Sequence, residues 1–225
     1  MDDSRWERWS ALGGIAFVVL VAVTAILPGS PPKTTDSPAK ITEFFVDKGT
    51  ELRWSAYLGG LAFVAVFWWA GAVWRLMRRA EGGVPRLAIL AIGGLLFGGV
   101  MAAVSGLLLS ATAMSGGVVQ GPAGLKAMYT VSFVIGSATS FGVVAFLAAF
   151  SAVIIRTGVL PQALGWFGAL IALVALAGGA AVASSRDLFF VLGFVTLGGF
   201  GIWVLIASIL MLRAGSGERV AVSAA

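Results

Sequence analysis

The chain has 225 residues, of which 59% are hydrophobic and 11% charged, and it carries 31 glycines and a formal net charge of +5. Soluble domains are about 25% charged, and 15 basic with 10 acidic side chains cannot cover an aqueous surface of this size, so a soluble globular domain is excluded. Cys, His and Asn are absent, which removes disulfides, thiol chemistry and Cys/His metal sites. An integral membrane protein remains.

Six apolar runs follow one another at about 11–27, 54–74, 87–109, 127–155, 163–183 and 188–212. About 20 apolar residues at about 1.5 Å rise cross a hydrocarbon core of about 30 Å, which four of the runs match. The first is short and recruits Trp9 and Ser10 at its start. The fourth is long and is expected to tilt or to extend beyond the bilayer. The first run is read as a retained span rather than a cleaved signal, because Asp2, Asp3 and Glu7 precede it alongside Arg5 and Arg8, and Ala25-Ile26-Leu27 is a poor cleavage site. The expected fold is an all-α integral membrane bundle of six transmembrane helices in a single domain over 1–225, ending in a flexible cytoplasmic tail at 213–225.

The loop after the first run has a pattern of its own. Ser37-Pro38 suits an N-cap and first helical position, Ile41, Phe44 and Phe45 share a face, and Gly49 sits where a helix would stop. A short amphipathic interfacial helix is expected here, followed by a fresh start of the second span at Thr50-Glu51. Its role is read as a passive connector, with a lid over an outward-facing cavity as the alternative.

Orientation follows from the basic residues. Arg5, Arg8, Arg75, Arg78, Arg79, Arg86, Arg156, Arg213 and Arg219 fall on one side of a six-span chain, and Lys33, Lys40, Lys48, Arg53, Lys126 and Arg186 on the other. By the positive-inside rule both termini are cytoplasmic in a bacterial inner membrane. Arg75, Arg78, Arg79 and Arg86, with only Glu81 among them, are also candidate contacts for anionic lipid, although orientation alone accounts for them.

Arg8-Trp9-Ser10-Ala11 and the following Leu12 to Val18 recur as Arg53-Trp54-Ser55-Ala56 and, after Tyr57, Leu58 to Val64, identical at ten of eleven aligned positions. The likeness stops there, so both copies are read as an interfacial Trp and Arg followed by a glycine pair that admits a neighbouring helix. Further glycine pairs lie at 93–94, 98–99, 178–179 and 198–199, with Gly94 and Gly98 in a GxxxG spacing. Ser132, Gly136 and Ser140 line up at four-residue intervals on the fourth run. Helix packing is the expected role of these small residues. With Ser105, Ser110, Ser137 and Thr139 they also form a candidate path for a small neutral solute.

Seven of the eight tryptophans fall on the cytoplasmic side of this topology, the exception being Trp54. An aromatic belt marks both interfaces, so the asymmetry points to a cytoplasmic-leaflet pocket in which Trp68, Trp69, Trp166 and Trp203 grip a lipid or another amphiphile. Packing and interface anchoring are the alternative.

No Asp, Glu, Lys or Arg lies within any apolar core, which removes the usual residues of proton relays, ion paths and voltage sensors. Without His there is no Ser-His dyad, and no phosphate-binding glycine loop followed by Lys occurs. The expectation is a protein that is not an enzyme, has no cofactor or metal and binds no nucleic acid. Its partners are membrane lipids and either further copies of itself or another membrane protein. It binds an amphiphile or, alternatively, passes a neutral solute passively.

The stretch Arg156-Thr157-Gly158-Val159-Leu160-Pro161-Gln162-Ala163-Leu164-Gly165-Trp166 resembles the Leu-Pro-x-x-Leu-Gly-Trp junction of a family of bacterial multi-span membrane proteins classed as a domain of unknown function. The first loop, with Pro31-Pro32 and its short acidic helix, is similar as well. The resemblance implies the same order of spans and brings no activity. Gln162-Ala163 stands where that family is expected to have Arg-Trp, so no headgroup contact carries over to those positions.

Overall fold

The structure, a computed structural model, describes residues 3–115, 121–184 and 186–222, with side chains described between residues 9 and 213. Seven α-helices follow in order: α1 Asp3–Ile26, α2 Pro38–Glu81, α3 Arg86–Met114, α4 Gly121–Ser137, α5 Thr139–Thr157, α6 Gln162–Gly178 and α7 Asp187–Val222. A 3-10 turn, Gly179–Val182, extends α6. The described residues contain six helical segments long and apolar enough to cross a membrane, α4 with α5 forming one of them and α6 with its 3-10 turn another. The chain is an all-α, multi-pass bundle. α7 continues through Val222, into the segment expected as a tail; residues 223–225 lie outside the described residues.

α2 differs most from the sequence expectation. The expected amphipathic helix is present, with Ser37 Oγ accepting from the Lys40 amide at 3.3 Å and Pro38 in the first turn. It does not stop at Gly49, and Thr50-Glu51 starts no new helix. The 44 residues form one helix, about 66 Å long at about 1.5 Å per residue. The cause lies in Ile41, Phe45 and Leu52, which occupy one face across the glycine and are buried against Leu125 and Tyr129 of α4. A glycine inside a helix costs about 1 kcal/mol. Burying one large apolar side chain contributes about 1.5–3 kcal/mol, so the shared face wins.

The long fourth run extends and breaks. At Ala138 the backbone amide is shared between the Val134 and Ile135 carbonyls, 3.2 and 3.1 Å away. Just before it, Ser137 Oγ donates back to the Phe133 carbonyl at 2.8 Å, the kind of bond that bends helices. α4 and α5 therefore follow α3 along its length as two shorter pieces.

α3 and α5 meet backbone to backbone. A Cβ on Gly142 would stand 2.5 Å from both the Gly94 carbonyl oxygen and the Gly98 nitrogen. The Gly94–Gly98 spacing thus serves packing, as small residues do where lipid gives helices no hydrophobic reason to associate. The repeated Arg-Trp-Ser-Ala segments divide their roles: a Cβ on Gly13 would meet the Ala65 carbonyl at 2.7 Å, whereas the space beside Gly59 and Gly60 is open. In the first copy the glycine pair admits α2, and in the second it faces outward.

The core is centred on Phe146 of α5. Trp203 meets it edge-on at 5.6 Å between centroids, Phe200 at 5.8 Å, and Trp69 in a tilted contact at 5.8 Å. Around them are packed Val73, Met77, Ala88, Phe150, Ile154 and Ala175. A second, smaller cluster joins Ile41, Phe45 and Leu52 to Leu125 and Tyr129 at the opposite end of α2.

Candidate functional site

Four tryptophans were expected to share one pocket, and the structure separates them into two pairs. Trp69 and Trp203 are fully buried, each in ring contact with Phe146, whereas Trp68 is 48% and Trp166 64% exposed on the outer surface. Trp203 is fastened in the core: its Nε1 donates to the Leu164 carbonyl at 3.0 Å, and its indole leaves room for only a glycine at 168. Trp69 lies over Gly14 of α1 and beside Ser208 of α7, and its Nε1 has no hydrogen-bond partner. Trp166 stands next to Gly165, whose missing Cβ lets α6 approach Ile154 and Ile155 of α5.

Trp68 borders a cleft. α1 and α2 touch where Gly13 meets Ala65 and the backbone of Trp69. Beyond that contact, Ser10 of α1 and Phe67, Trp68, Gly71 and Arg75 of α2 line an open space of about 430 Å³. That is within the about 300–1,000 Å³ range of small-molecule sites. Phe67, Gly71 and Arg75 follow at four-residue steps and so lie on one helix face. This places an apolar wall beneath a guanidinium. The i, i+4, i+8 spacing was present in the sequence. What the sequence could not supply was the placing of Ser10 of α1 across from this face.

The other arginines have different surroundings. Arg78 and Arg79 are exposed in the last turn of α2, where cations complement the helix dipole, and Arg86 is exposed at the start of α3. Glu81 turns towards α3, its Oε1 accepting from the Ala88 amide at 3.1 Å.

Of the candidate solute path, Ser105, Ser132 and Gly136 come together at the crossing of α3 and α4. Ser105 Oγ donates to the Ser132 carbonyl at 2.8 Å, and a Cβ on Gly136 would lie 2.9 Å from Ser105 Oγ. Ser132 Oγ donates within its own helix to the Met128 carbonyl, and the residue is fully buried. Thr139 and Ser140 follow on α5, the Thr139 carbonyl lying 3.2 Å from where a Cβ on Gly98 would be. The stripe is in contact with its neighbours along this length.

At the far end of the bundle the first loop is fastened down. Lys33 Nζ pairs with Asp187 Oδ2 at 2.6 Å and Lys40 Nζ with Asp36 Oδ2 at 2.8 Å. Lys126 Nζ donates to the Asp36 carbonyl at 2.8 Å, and the Tyr129 hydroxyl donates to the Pro32 carbonyl. The hydrogen bond from Lys40, followed by one from the Lys33 amide, holds the Asp36 carboxyl below the usual carboxylate range. The hydrogen bond to Asp187 holds Lys33 above the usual lysine range. Asp187, adjacent to Arg186 in sequence, is thus engaged by a lysine 154 residues away.

Among the described residues, no three of the metal-ligating types His, Cys, Asp and Glu come together. No family model matches the chain, and no curated protein and no solved structure matches it either.

Proposed function

We propose that the chain is a non-enzymatic multi-pass protein of a bacterial inner membrane, with both termini cytoplasmic, that binds a membrane amphiphile in the cleft between α1 and α2. The observation that carries this reading is the cleft itself: Phe67, Trp68 and Gly71 form an apolar wall that ends at Arg75 and Ser10. Apolar surface below a polar rim matches the two halves of an amphiphile. The cleft lies at the end of the bundle that gathers nine of the fifteen basic residues, which supports placing it in the cytoplasmic leaflet. Membrane lipids are thereby the first partners.

Native mass spectrometry of the detergent-extracted protein tests the proposal. The wild type is expected to retain lipid, and Gly71→Leu to lose most of it. Open space lies where the new side chain would project, so the substitution fills the cleft without disturbing the core. Equal retention by both proteins would place the lipid elsewhere and refute the assignment.

A further inference from the structure

We infer that the seam between the first loop and the outer end of α7 is a gate, latched by the Lys33–Asp187 pair, which parts as ionic strength rises and uncovers a recess over Phe133 and Phe190. The inference is independent of the cleft between α1 and α2, which lies at the other end of the bundle.

The loop belongs mechanically to α2 and α4. Residues 33–36 form a closed turn, in which the Asp36 amide donates to the Lys33 carbonyl at 3.0 Å and the Lys33 amide to Asp36 Oδ2 at 2.9 Å. Tyr129 and Lys126 of α4 donate to the Pro32 and Asp36 carbonyls, and Lys40 of α2 pairs with the Asp36 carboxylate. Tyr129 and Pro32 are both buried, so water does not compete for that bond. Towards α7 the fastening is of another kind. Among the described residues, Lys33–Asp187 is the one hydrogen bond or ion pair that joins the loop to α7, and its side chains are 53% and 69% exposed. Exposed ion pairs are weak, and salt screens them. Asp36 and Arg186, one of each sign, are the other charges beside the pair, so neither sign dominates around it.

The seam closes over very little space. Phe133 of α4 and Phe190 of α7 stack at 5.8 Å between centroids, and with Ala181 of the 3-10 turn they face Thr34 and Thr35 of the loop across the recess. The space left is about 10 Å³, room for one water at most. α7 can leave this seam without leaving the bundle. It is held against α6 further in, where a Cβ on Gly178 would stand 3.4 Å from the Leu192 carbonyl carbon and 3.5 Å from the Gly193 nitrogen. Gly193 itself has open space where a side chain would project, and a glycine is where a helix bends at least cost. Parting therefore begins where the one exposed ion pair holds, and it gives outer water access to the recess.

The test uses the full chain in lipid nanodiscs. Ala181→Cys gives the cysteine-free chain one thiol in the recess, at a position 8% exposed, and its rate of reaction with N-ethylmaleimide is read at low and high salt. The reagent is uncharged, so salt acts on the protein alone. Added to this parent, Asp187→Asn is expected to raise the rate about twofold to fivefold, the scale of one exposed ion pair, and Asp187→Glu to leave it near the parent value. Added salt should raise the parent's rate and leave that of Asp187→Asn unchanged. Spin labels then tell which body moves. In Asp187→Asn the distance between labels on Ala127→Cys and Leu188→Cys should broaden, while that between Ala127→Cys and Thr35→Cys should stay narrow. Broadening of the second pair would show that the loop itself swings, and would overturn the assignment of the moving part to α7. Equal reaction rates in the parent and Asp187→Asn, or two narrow distributions, would show that the ion pair latches nothing. A parent rate that ignored salt would overturn the response to ionic strength.

Discussion

Gly142 of α5 lies so close to Gly98 of α3 that a methyl group on the first would stand 2.5 Å from the backbone nitrogen of the second. Neither partner can yield by turning a side chain, because the obstacle is backbone. Gly142→Ala is therefore expected to separate the two helices and to destabilise the protein by about 1–3 kcal/mol, the usual cost of overpacking a tight core. Gly93→Ala is the matched control, since open space surrounds Gly93, and should be neutral or slightly stabilising through the lost flexibility of the unfolded chain. Thermal unfolding of both variants in one detergent reads the difference, and equal midpoints would contradict the close approach.

The two buried tryptophans are expected to respond differently to the same substitution. Trp203 donates its indole hydrogen to the Leu164 carbonyl, whereas Trp69 Nε1 has no partner. Replacing either with Phe removes similar packing. Only Trp203→Phe also gives up a buried hydrogen bond, worth about 0.5–1.5 kcal/mol. Trp203→Phe should accordingly unfold at the lower temperature of the two. A reversed order would show that the hydrogen bond contributes less than the shape of the Trp69 site.

Acid and strong alkali should both loosen the fastened first loop. The Asp36 carboxyl is held below its ordinary range, so its contribution is complete above that range and fades as pH falls through its folded value. Lys33 is held above its ordinary range, so its contribution is complete below that range and fades as pH rises through its folded value. Lys33 is exposed and Asp36 partly so, and salt screens both. The chain has no cysteine, so spin labels on Thr34→Cys and Leu188→Cys report the spacing directly. A narrow distance distribution is expected at neutral pH, broadening at both extremes, and Asp187→Asn should broaden it at neutral pH. If Asp187→Asn left it narrow, the lysine pair would not be what holds the loop.

Neutral solutes should not cross through the stripe of small residues. Ser105 is bonded to the Ser132 carbonyl, and Gly136 is small because Ser105 occupies the adjacent space. Proteoliposomes are expected to take up glycerol and urea no faster than empty vesicles. Gly136→Val should push α4 from α3 and lower stability by about 1–3 kcal/mol. Uptake above the vesicle background that Gly136→Val abolished would instead support a solute path.

The six spans were legible because desolvation acts on whole segments, and a run of apolar residues records it without reference to neighbours. Which side of a helix faces protein was not legible. Trp68 and Trp69 are adjacent in sequence, yet one is nearly half exposed and the other fully buried. In a soluble helix polar residues mark the outward face; here lipid and protein both favour apolar side chains, and the contrast disappears. Glycine spacing preserved part of the information: Gly94 and Gly98 do face a partner, whereas Gly59 and Gly60, in nearly the same local sequence as Gly13 and Gly14, do not. Local rules also misjudged Gly49, because the clamp of Ile41, Phe45 and Leu52 against Leu125 and Tyr129 depends on residues more than 70 positions further along the chain.

The unbroken course of α2 ties distant parts of the molecule together mechanically. One end is gripped by Leu125 and Tyr129, and the other carries Arg75, Arg78 and Arg79. A rod of about 66 Å outspans a hydrocarbon core of about 30 Å, so it behaves as a lever with the bilayer as its fulcrum. Any tilt imposed at the gripped end must swing the arginine end the opposite way.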